Sequence, residues 1–321
     1  MTELWPSVSS ATNTRGANDN QTREILNVTL HLRNPRRRFA TTRHPPINPA
    51  FAIAELIWIV RGRRDVQFLI PWNSRLPNFI GIAPNTPGAY GFRLRQHFGV
   101  DQFLGIYHAL SKNPQSRQAV LQIWDSRTDL PDETGTPASA DIPCSITSMI
   151  KIVNGRLNWT QIMRSNDIIM GLPYNIIQWT LLQEILAGWL NVEMGTYTHF
   201  SDSLHLYSRD ENTYDYRSKL AGGHDEEVPD LRLSLAESDQ VFKALESATE
   251  AIALEMKPSS VHQIMQSLSI PTAYQPLIAI IAAERLRRLG FPNLSTEIID
   301  EKTTGDLQTC AHNWNKGPRK P

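Results

Sequence analysis

Cys144 is the residue of this chain best suited to nucleophilic chemistry. It follows Pro143 directly after a polar loop and begins an apolar stretch, so its thiol can be both accessible and held in place. A thiolate can add to an electrophilic carbon and form a transient covalent bond. The structural alternative is a small buried hydrophobic residue, which is the usual role of a free cysteine. Because the other cysteine, Cys310, lies far away in the sequence, we predict no disulfide framework.

A second candidate is the short polar motif at residues 163–167 (Met-Arg-Ser-Asn-Asp). Arg164 offers a rigid fork of donors that suits a phosphate group, and a nearby guanidinium lowers the pKa of a thiol. Ser165 and Asp167 add a hydroxyl and a carboxylate to the same segment. Taken alone, the motif is equally consistent with a surface salt bridge.

Four further side chains carry groups that could take part in chemistry. Asn175 begins an apolar helical segment, where its amide could donate and accept hydrogen bonds at once or act as a plain N-cap. Glu55 lies inside an apolar helix, so its carboxylate needs either a partner or a shifted pKa. His205 and Tyr207 are two residues apart in a predicted strand and therefore share a face, which is also common in an ordinary half-buried strand.

The candidate residues lie on both predicted strands and predicted helices. We predict strands at 25–33, 117–125, 144–153, 156–165 and 197–207, and helices at 50–60, 100–112, 176–190, 233–256, 259–268 and 273–289. Asn154 and Gly155 predict a two-residue hairpin turn. Residues 126–142 are predicted to form an exposed loop.

The composition is that of an ordinary globular protein. Of 321 residues, 40% are hydrophobic, and 32 Lys and Arg balance 32 Asp and Glu. A zero net charge argues against nucleic acid as the main partner, because such binding relies on a basic surplus. We expect no membrane helix, since no apolar stretch reaches about 18 residues. The N-terminus has no signal-peptide pattern, so we expect a cytoplasmic protein.

Read together, the motifs resemble those of the thymidylate synthase family, which includes the pyrimidine nucleotide hydroxymethylases. Residues 143–144 (Pro-Cys) are similar to its nucleophile motif, and residues 163–167 to its phosphate-binding Arg-Ser-x-Asp motif. Residues 171–176 (Gly-Leu-Pro-Tyr-Asn-Ile) resemble its Gly-Leu-Pro-Phe-Asn-Ile signature, and residues 202–207 (Asp-Ser-Leu-His-Leu-Tyr) resemble its sugar-binding strand.

The resemblance is looser upstream. Glu55 begins a Glu-Leu-Ile-Trp run like the family's Glu-Leu-Leu-Trp, and Tyr90 precedes Gly91 as in its Tyr-Gly motif. Arg117 resembles an arginine that reaches across a dimer interface, and Arg15 resembles the arginine of a mobile phosphate-gripping loop.

The resemblance implies an α+β fold. A twisted mixed sheet with flanking helices would pack back to back against its copy in a homodimer. We interpret residues 1–210 as the catalytic domain, with a flexible arm at 1–12, and residues 211–321 as a mostly helical extension packed on the same domain.

The resemblance also implies substrates and roles. The substrates would be a pyrimidine nucleoside monophosphate, with dUMP favoured, and 5,10-methylenetetrahydrofolate, and no metal is expected. Cys144 would add to C6 of the base, Asn175 would bind O4 and N3–H, and Glu55 and Tyr90 would handle protons through water. Phosphate would be held by Arg15, Arg164, Ser165 and the partner subunit's Arg117; His205 and Tyr207 would hold the ribose, and Asp167 would face the folate.

Departures from ordinary thymidylate synthases bear on the product. Ser145 stands where they usually have His, Met163 where they have Gln, and Gln118 where a second arginine is common. Residues 314–321 have no recognisable match to the family's closing tail. Because excluding water protects the one-carbon intermediate, these changes favour water capture and a dUMP 5-hydroxymethylase. The alternatives are methylation to dTMP with release of dihydrofolate and, remotely, a catalytically silent nucleotide- or RNA-binding relative.

Overall fold

A six-stranded mixed sheet forms the centre of the computed structural model, which describes residues 4–15, 21–81, 83–213, 215–216 and 228–317, except for the side chains of 13–15, 79 and 215. Its strands are β1 (Asn13–Arg15), β2 (Gln21–Leu32), β4 (Val120–Gln122), β5 (Ser145–Val153), β6 (Arg156–Asp167) and β7 (Glu193–Tyr207), in the order β1-β2-β7-β6-β5-β4. β6 and β7 are parallel and the other neighbours are antiparallel. β3 (Arg43–His44) and β8 (Asp215–Tyr216) form a separate pair.

Local sequence explains the connections around β6. Asn154 and Gly155 have φ angles of 51° and 71°, as the tight turn between two antiparallel strands requires, and this confirms the predicted hairpin. Between β6 and β7 the chain forms α7 (Leu172–Trp189). A crossover of this length lets two consecutive strands run parallel.

Two buried helices flank the sheet and carry candidate residues. α2 (Pro49–Val60) begins after Asn48, whose side chain accepts a hydrogen bond from the N–H of Phe51 at 3.0 Å. α7 packs against α2 and against β6 and β7. Both helices are buried on nearly all sides: eleven of the twelve residues of α2 and sixteen of the eighteen residues of α7 are buried.

The other helices complete the shell. They are α1 (Leu4–Ser9), α3 (Pro77–Ile80), α4 (Tyr90–Phe92), α5 (Gln102–Lys112), α6 (Ser126–Asp129), α8 (Leu235–Leu254), α9 (Pro258–Ser267), α10 (Gln275–Arg288), α11 (Pro292–Lys302) and α12 (Gly305–Lys316). Phe242, Leu277 and Ala311 belong to the same buried core as Leu56 and Trp179. The α+β class is confirmed, and the domain boundary at residue 210 stays a prediction.

Two local predictions hold only in part. The arm at residues 1–12 contains the helix α1, in which Val8 is fully buried, and Trp5 packs against Tyr216 with ring centroids 5.7 Å apart. The predicted loop at 126–142 is exposed and irregular over most of its length, but it begins with α6, whose Asp129 is buried and pairs with Arg93 at 2.7 Å. In both places apolar or paired polar side chains reach the core from a segment of polar composition.

Among the described helices, none combines the length and apolar character needed to cross a bilayer.

Candidate active site

Cys144 lies immediately before β5, where this strand meets β6. Its carbonyl accepts a hydrogen bond from the N–H of Arg164 at 2.9 Å, and the residue is half-buried. The register between β5 and β6 shifts between Ser145 and Thr147. Such a bulge re-aims the neighbouring side chains and is common next to active sites.

Arg164 holds the segment that leads into Cys144. Its Nε donates to the carbonyl of Pro143 at 3.0 Å and its Nη2 to the carbonyl of Ile142 at 3.3 Å. The guanidinium also lies 5.5 Å from the ring centroid of Trp124. Across the described residues no carboxylate pairs with Arg164, so its positive charge remains available to the thiol and to an anionic ligand.

The net pKa shift of the Cys144 thiol is opposite in direction to the one predicted from the sequence. Arg164 does lower the pKa of the thiol, but burial raises it by more, and Asp141 and Asp167 raise it further. The predicted contribution of the guanidinium is therefore present, whereas the net shift is upward. Forming the thiolate at neutral pH thus needs a base or additional positive charge nearby.

Tyr90 connects this strand to the buried helices. Its phenol oxygen faces the backbone N–H of Ser145, and the centroid of its ring lies 5.4 Å from that of the Trp179 ring on α7. Burial raises the pKa of Tyr90 well above its ordinary value, and the nearby charges of Cys144 and Glu55 raise it further. Tyr90 therefore keeps its proton and can act as a donor.

Glu55 is the acid–base candidate with a pKa near neutrality. The other eleven residues of α2 are buried, while Glu55 is half-buried and accepts a hydrogen bond from Gln178 of α7. Burial raises the pKa of Glu55 to about 8, although the bond from Gln178 lowers it. A carboxyl group in this range can both accept and return a proton at physiological pH.

Asn175 lies in the first turn of α7, which begins at Leu172 after Gly171. The N-cap alternative was therefore wrong. Its amide Nδ2 donates to the Oδ1 of Asn166 at 3.3 Å, and both side chains are buried. This contact fixes one side of the amide and leaves donor and acceptor capacity for a ligand.

A buried polar chain continues behind Asn166. The Nδ2 of Asn166 lies 2.8 Å from Nε2 of His199, and Nδ1 of His199 lies 2.8 Å from the hydroxyl of Tyr197. Burial lowers the pKa of His199 to about 3. The imidazole is therefore neutral at physiological pH and can bond on both sides.

Asp167, His205 and Tyr207 lie at the neighbouring ends of β6 and β7. Asp167 is opposite His205 in the strand register, and the rings of His205 and Tyr207 meet edge-on with centroids 5.0 Å apart. Burial raises the pKa of Asp167 and lowers that of His205. One oxygen of Asp167 accepts the N–H groups of Ile169 and Met170. Ser165, half-buried, is opposite Ser203.

The structure does not bring Arg117 to this cluster within one chain. Arg117 is exposed and precedes Ala119, whose carbonyl accepts the N–H of Ile150 on β5. Ile150 is six strand residues from Cys144, which corresponds to roughly 20 Å at the rise of a β-strand. Arg15 ends β1 opposite Gln21, and its side chain lies outside the described residues.

Sequence reasoning missed several residues that hold the candidates in place. They are Asp141, Gln161, Asn166, Gln178 and His199. Gln178 could have been found, because it is a polar residue one turn after Asn175 in an apolar helix. Gln161, Asn166 and His199 act through contacts between strands. Asp141 lies in the loop before β5, where its carboxylate accepts the N–H of Gly88 at 2.9 Å. Spacing along the chain shows none of these contacts.

One family model and several known proteins are similar to this chain. The family model described as thymidylate synthase matches residues 7–259. The chain is 35% identical over 202 residues to deoxyuridylate hydroxymethyltransferase of Bacillus phage SP01, covering 59% of this chain and 51% of that protein. It is 35% identical over 182 residues to deoxyuridylate hydroxymethyltransferase of Pseudomonas phage M6, covering 56% and 50%.

Identity to thymidylate synthase of equine herpesvirus 2 (strain 86/87) is 29% over 182 residues, covering 48% of this chain and 60% of that protein. The chain thus spans about half the length of the two phage relatives it matches.

Proposed function

Because the chain belongs to the thymidylate synthase family, we propose that it hydroxymethylates C5 of dUMP with the one-carbon unit of 5,10-methylenetetrahydrofolate. The observation that carries the proposal is the succession of Arg164, Cys144, Tyr90 and Glu55: Arg164 bonds the carbonyl of Cys144 and lies close enough to affect its thiol, and Tyr90 lies close to both Cys144 and Glu55. The names of the two phage relatives favour hydroxymethyl over methyl as the product.

In this proposal Cys144 is the nucleophile. Its sulfur bonds to C6 of the uracil, and the electron pair of the C5–C6 double bond moves toward C5 and O4. The Asn175 amide donates to O4 and accepts from N3–H, so it stabilises the charge that develops on the ring. A cytosine presents the opposite pattern at that edge and would leave buried groups unpaired, at a cost of about 1–3 kcal/mol.

Glu55 and Tyr90 are the proton-handling groups. When bound, the folate would supply the carbon that C5 acquires. C5 would then lose its proton as the bond from that carbon to the folate breaks and tetrahydrofolate leaves. Water would add to the carbon, and the bond between C6 and the sulfur of Cys144 would break. The pKa of about 8 lets Glu55 take up or return a proton near neutrality. Tyr90, kept protonated by burial, donates from beside Cys144.

The remaining candidates bind the substrates. We assign the phosphate to Arg164, Ser165, Arg15 and the partner subunit's Arg117, and the ribose to His205 and Tyr207. The folate fits at Asp167, because one carboxylate oxygen accepts two backbone N–H groups while the other has no hydrogen-bond partner among the described residues. That oxygen can accept an N–H of the folate ring.

We propose a homodimer that joins the sheets back to back. Phe200 and Ile162 are neighbours on the face opposite α7 and are half-buried, while Met149 and Val120 are 38% and 46% exposed. A second copy would cover this apolar face and place Arg117 of the partner subunit near the site. The two free cysteines fit a reducing cytoplasm.

The product decides between hydroxymethylation and methylation. The protein is incubated with dUMP and labelled methylenetetrahydrofolate, and the nucleotide is identified by mass. We expect 5-hydroxymethyl-dUMP and tetrahydrofolate. Thymidylate with stoichiometric dihydrofolate would reject the hydroxymethylase assignment. Tritium release from C5-labelled dUMP that persists in Cys144→Ala would reject the nucleophile.

A further inference from the structure

Gln161 of β6 forms a fully buried hydrogen-bond hub across the bulge of β5. Its Nε2 donates to the hydroxyl of Ser145 at 2.5 Å and to the carbonyl of Thr147 at 3.3 Å. Its Oε1 accepts from the hydroxyl of Ser148 at 2.5 Å and from the indole N–H of Trp159 at 3.3 Å. One side chain thus satisfies polar groups on both sides of the extra residue.

These contacts define the orientation of the Gln161 amide. An indole N–H can only donate and a backbone carbonyl can only accept. The amide oxygen must therefore face Trp159, and the amide nitrogen must face Thr147. The hydroxyl of Ser145 therefore accepts a hydrogen bond from Nε2 of Gln161. Because the other contacts fix the orientation of the Gln161 amide, this bond also fixes the position of the Ser145 side chain.

Ser145 links this hub to the reacting groups. It directly follows Cys144, and its backbone N–H faces the phenol oxygen of Tyr90. The bulge itself is held from the other side, because the carbonyl of Ile146 accepts the N–H groups of Ile123 and Trp124 at 2.9 and 3.1 Å. Any movement of Ser145 therefore moves the nucleophile and Tyr90 relative to each other.

We propose that Gln161 is a positioning residue for the nucleophile: it holds Ser145 so that the sulfur of Cys144 and the hydroxyl of Tyr90 keep the spacing that the reaction requires. The inference rests on the proposed function. A small displacement of a nucleophile lowers the rate strongly, whereas nucleotide binding depends on Arg164, which has separate contacts to Ile142 and Pro143. Loss of Gln161 should therefore lower kcat and leave KM for dUMP nearly unchanged.

Gln183 provides a matched control in the same core. It is also fully buried, and its Nε2 donates to the carbonyls of Leu157 and Thr196 at 2.8 and 3.1 Å. Replacing either glutamine by leucine removes an amide that serves buried groups. Only Gln161 is connected to Cys144 through a single residue.

The experiment compares Gln161→Leu with Gln183→Leu in the full chain. We expect kcat to fall about tenfold to a hundredfold in Gln161→Leu at constant KM, and to stay within about twofold of wild type in Gln183→Leu, with similar losses of Tm in both. Equal effects of the two variants on kcat would overturn the proposal and assign Gln161 a structural role.

A second readout needs no substrate. Alkylation of Cys144 by iodoacetamide is followed against pH by mass spectrometry of its peptide. We expect the profile to move by about half a pH unit or more in Gln161→Leu and to remain in place in Gln183→Leu. If wild type forms no product from dUMP, the proposed function fails, and an unmoved alkylation profile separately overturns the positioning role.

Ser145→Ala keeps the test decisive should Gln161→Leu not fold. This variant removes one bond of the hub and keeps the bonds of Gln161 to Thr147, Ser148, Trp159 and the carbonyl of Ile162. We expect the same fall in kcat at constant KM, of smaller size. An unchanged kcat in Ser145→Ala would contradict the proposal.

Discussion

Gln178 of α7 donates a hydrogen bond to the carboxylate of Glu55 on α2. The bond joins the two buried helices and lowers the pKa of Glu55, but burial dominates and raises that pKa to about 8. The folded protein therefore binds a proton at Glu55 more tightly than the unfolded chain does. By linkage, the contribution of this group to stability is complete below its ordinary value of 4.5 and is lost as the pH rises toward 8.

Replacing Glu55 with Gln should separate the effect of the carboxyl group on catalysis from its effect on stability. We expect kcat to fall about 10²- to 10⁴-fold, because a general acid–base group is removed. We also expect the Tm of wild type to drop more than that of Glu55→Gln between pH 5 and about 8.5. Thermal unfolding of both proteins across this range measures the difference. Parallel Tm curves would show that Glu55 is already ionised at pH 5.

The sequence predicted most of the elements and the main reacting groups. Alternating apolar residues predicted β2, and the Asn154-Gly155 pair predicted the hairpin of β5 and β6, because these signals depend on near neighbours. Cys144, Arg164 and Asn175 could be proposed because each sits in a recognisable motif. Their functional roles stay predictions that the experiments must decide.

Contacts between distant segments could not be predicted. The short chain of Asn166, His199 and Tyr197 joins β6 to β7, and Gln161 joins β6 to β5, so their roles depend on strand register. The net pKa of Cys144 also escaped prediction, since burial of a side chain is a property of the whole fold. The local sequence pattern predicts that the charge of Arg164 acts on the thiol, but it does not predict how deeply the thiol is buried.

Removing the guanidinium of Arg164 should make the thiol harder to ionise. Burial raises the pKa of Cys144 and Arg164 lowers it by less, so Arg164→Met should raise that pKa further. Arg164→Lys keeps a positive charge and should show a smaller shift. The rate of Cys144 alkylation against pH measures both.

Arg156→Met is the matched control for this series, because Arg156 begins the same strand at its far, exposed end. Its alkylation profile should coincide with that of wild type. A shift as large as in Arg164→Met would mean that the effect is general and does not come from the guanidinium beside Cys144.

His199 should make the protein sensitive to acid. Its pKa is about 3 in the fold and ordinarily 6.5, so the unfolded chain binds the proton more tightly, and stability falls as the pH drops from 6.5 toward 3. Between pH 7 and 4.5 this group should cost roughly 2–3 kcal/mol of unfolding free energy. Urea unfolding at the two pH values should show a smaller loss in His199→Gln.

His31→Gln controls for the replacement itself, since His31 is exposed and bonds Thr198 at 3.1 Å. This variant should retain the acid sensitivity of wild type. If His199→Gln loses stability with acid as steeply as His31→Gln, the buried imidazole does not carry the effect.

Mixed dimers can test whether the two subunits share an active site. Cys144→Ala lacks the nucleophile and Arg117→Ala lacks the proposed phosphate contact of the neighbouring site, so each alone should have little activity. After mixing, unfolding and refolding, half of the dimers should be hybrids in which one site has both residues, because a two-fold interface places each Arg117 in the partner's site. Activity should recover to about a quarter of wild type.

Recovery should vanish when Phe200→Asp is added to both chains, because a buried charge would break the sheet-to-sheet contact. No recovery in hybrids that do form would place Arg117 outside the site.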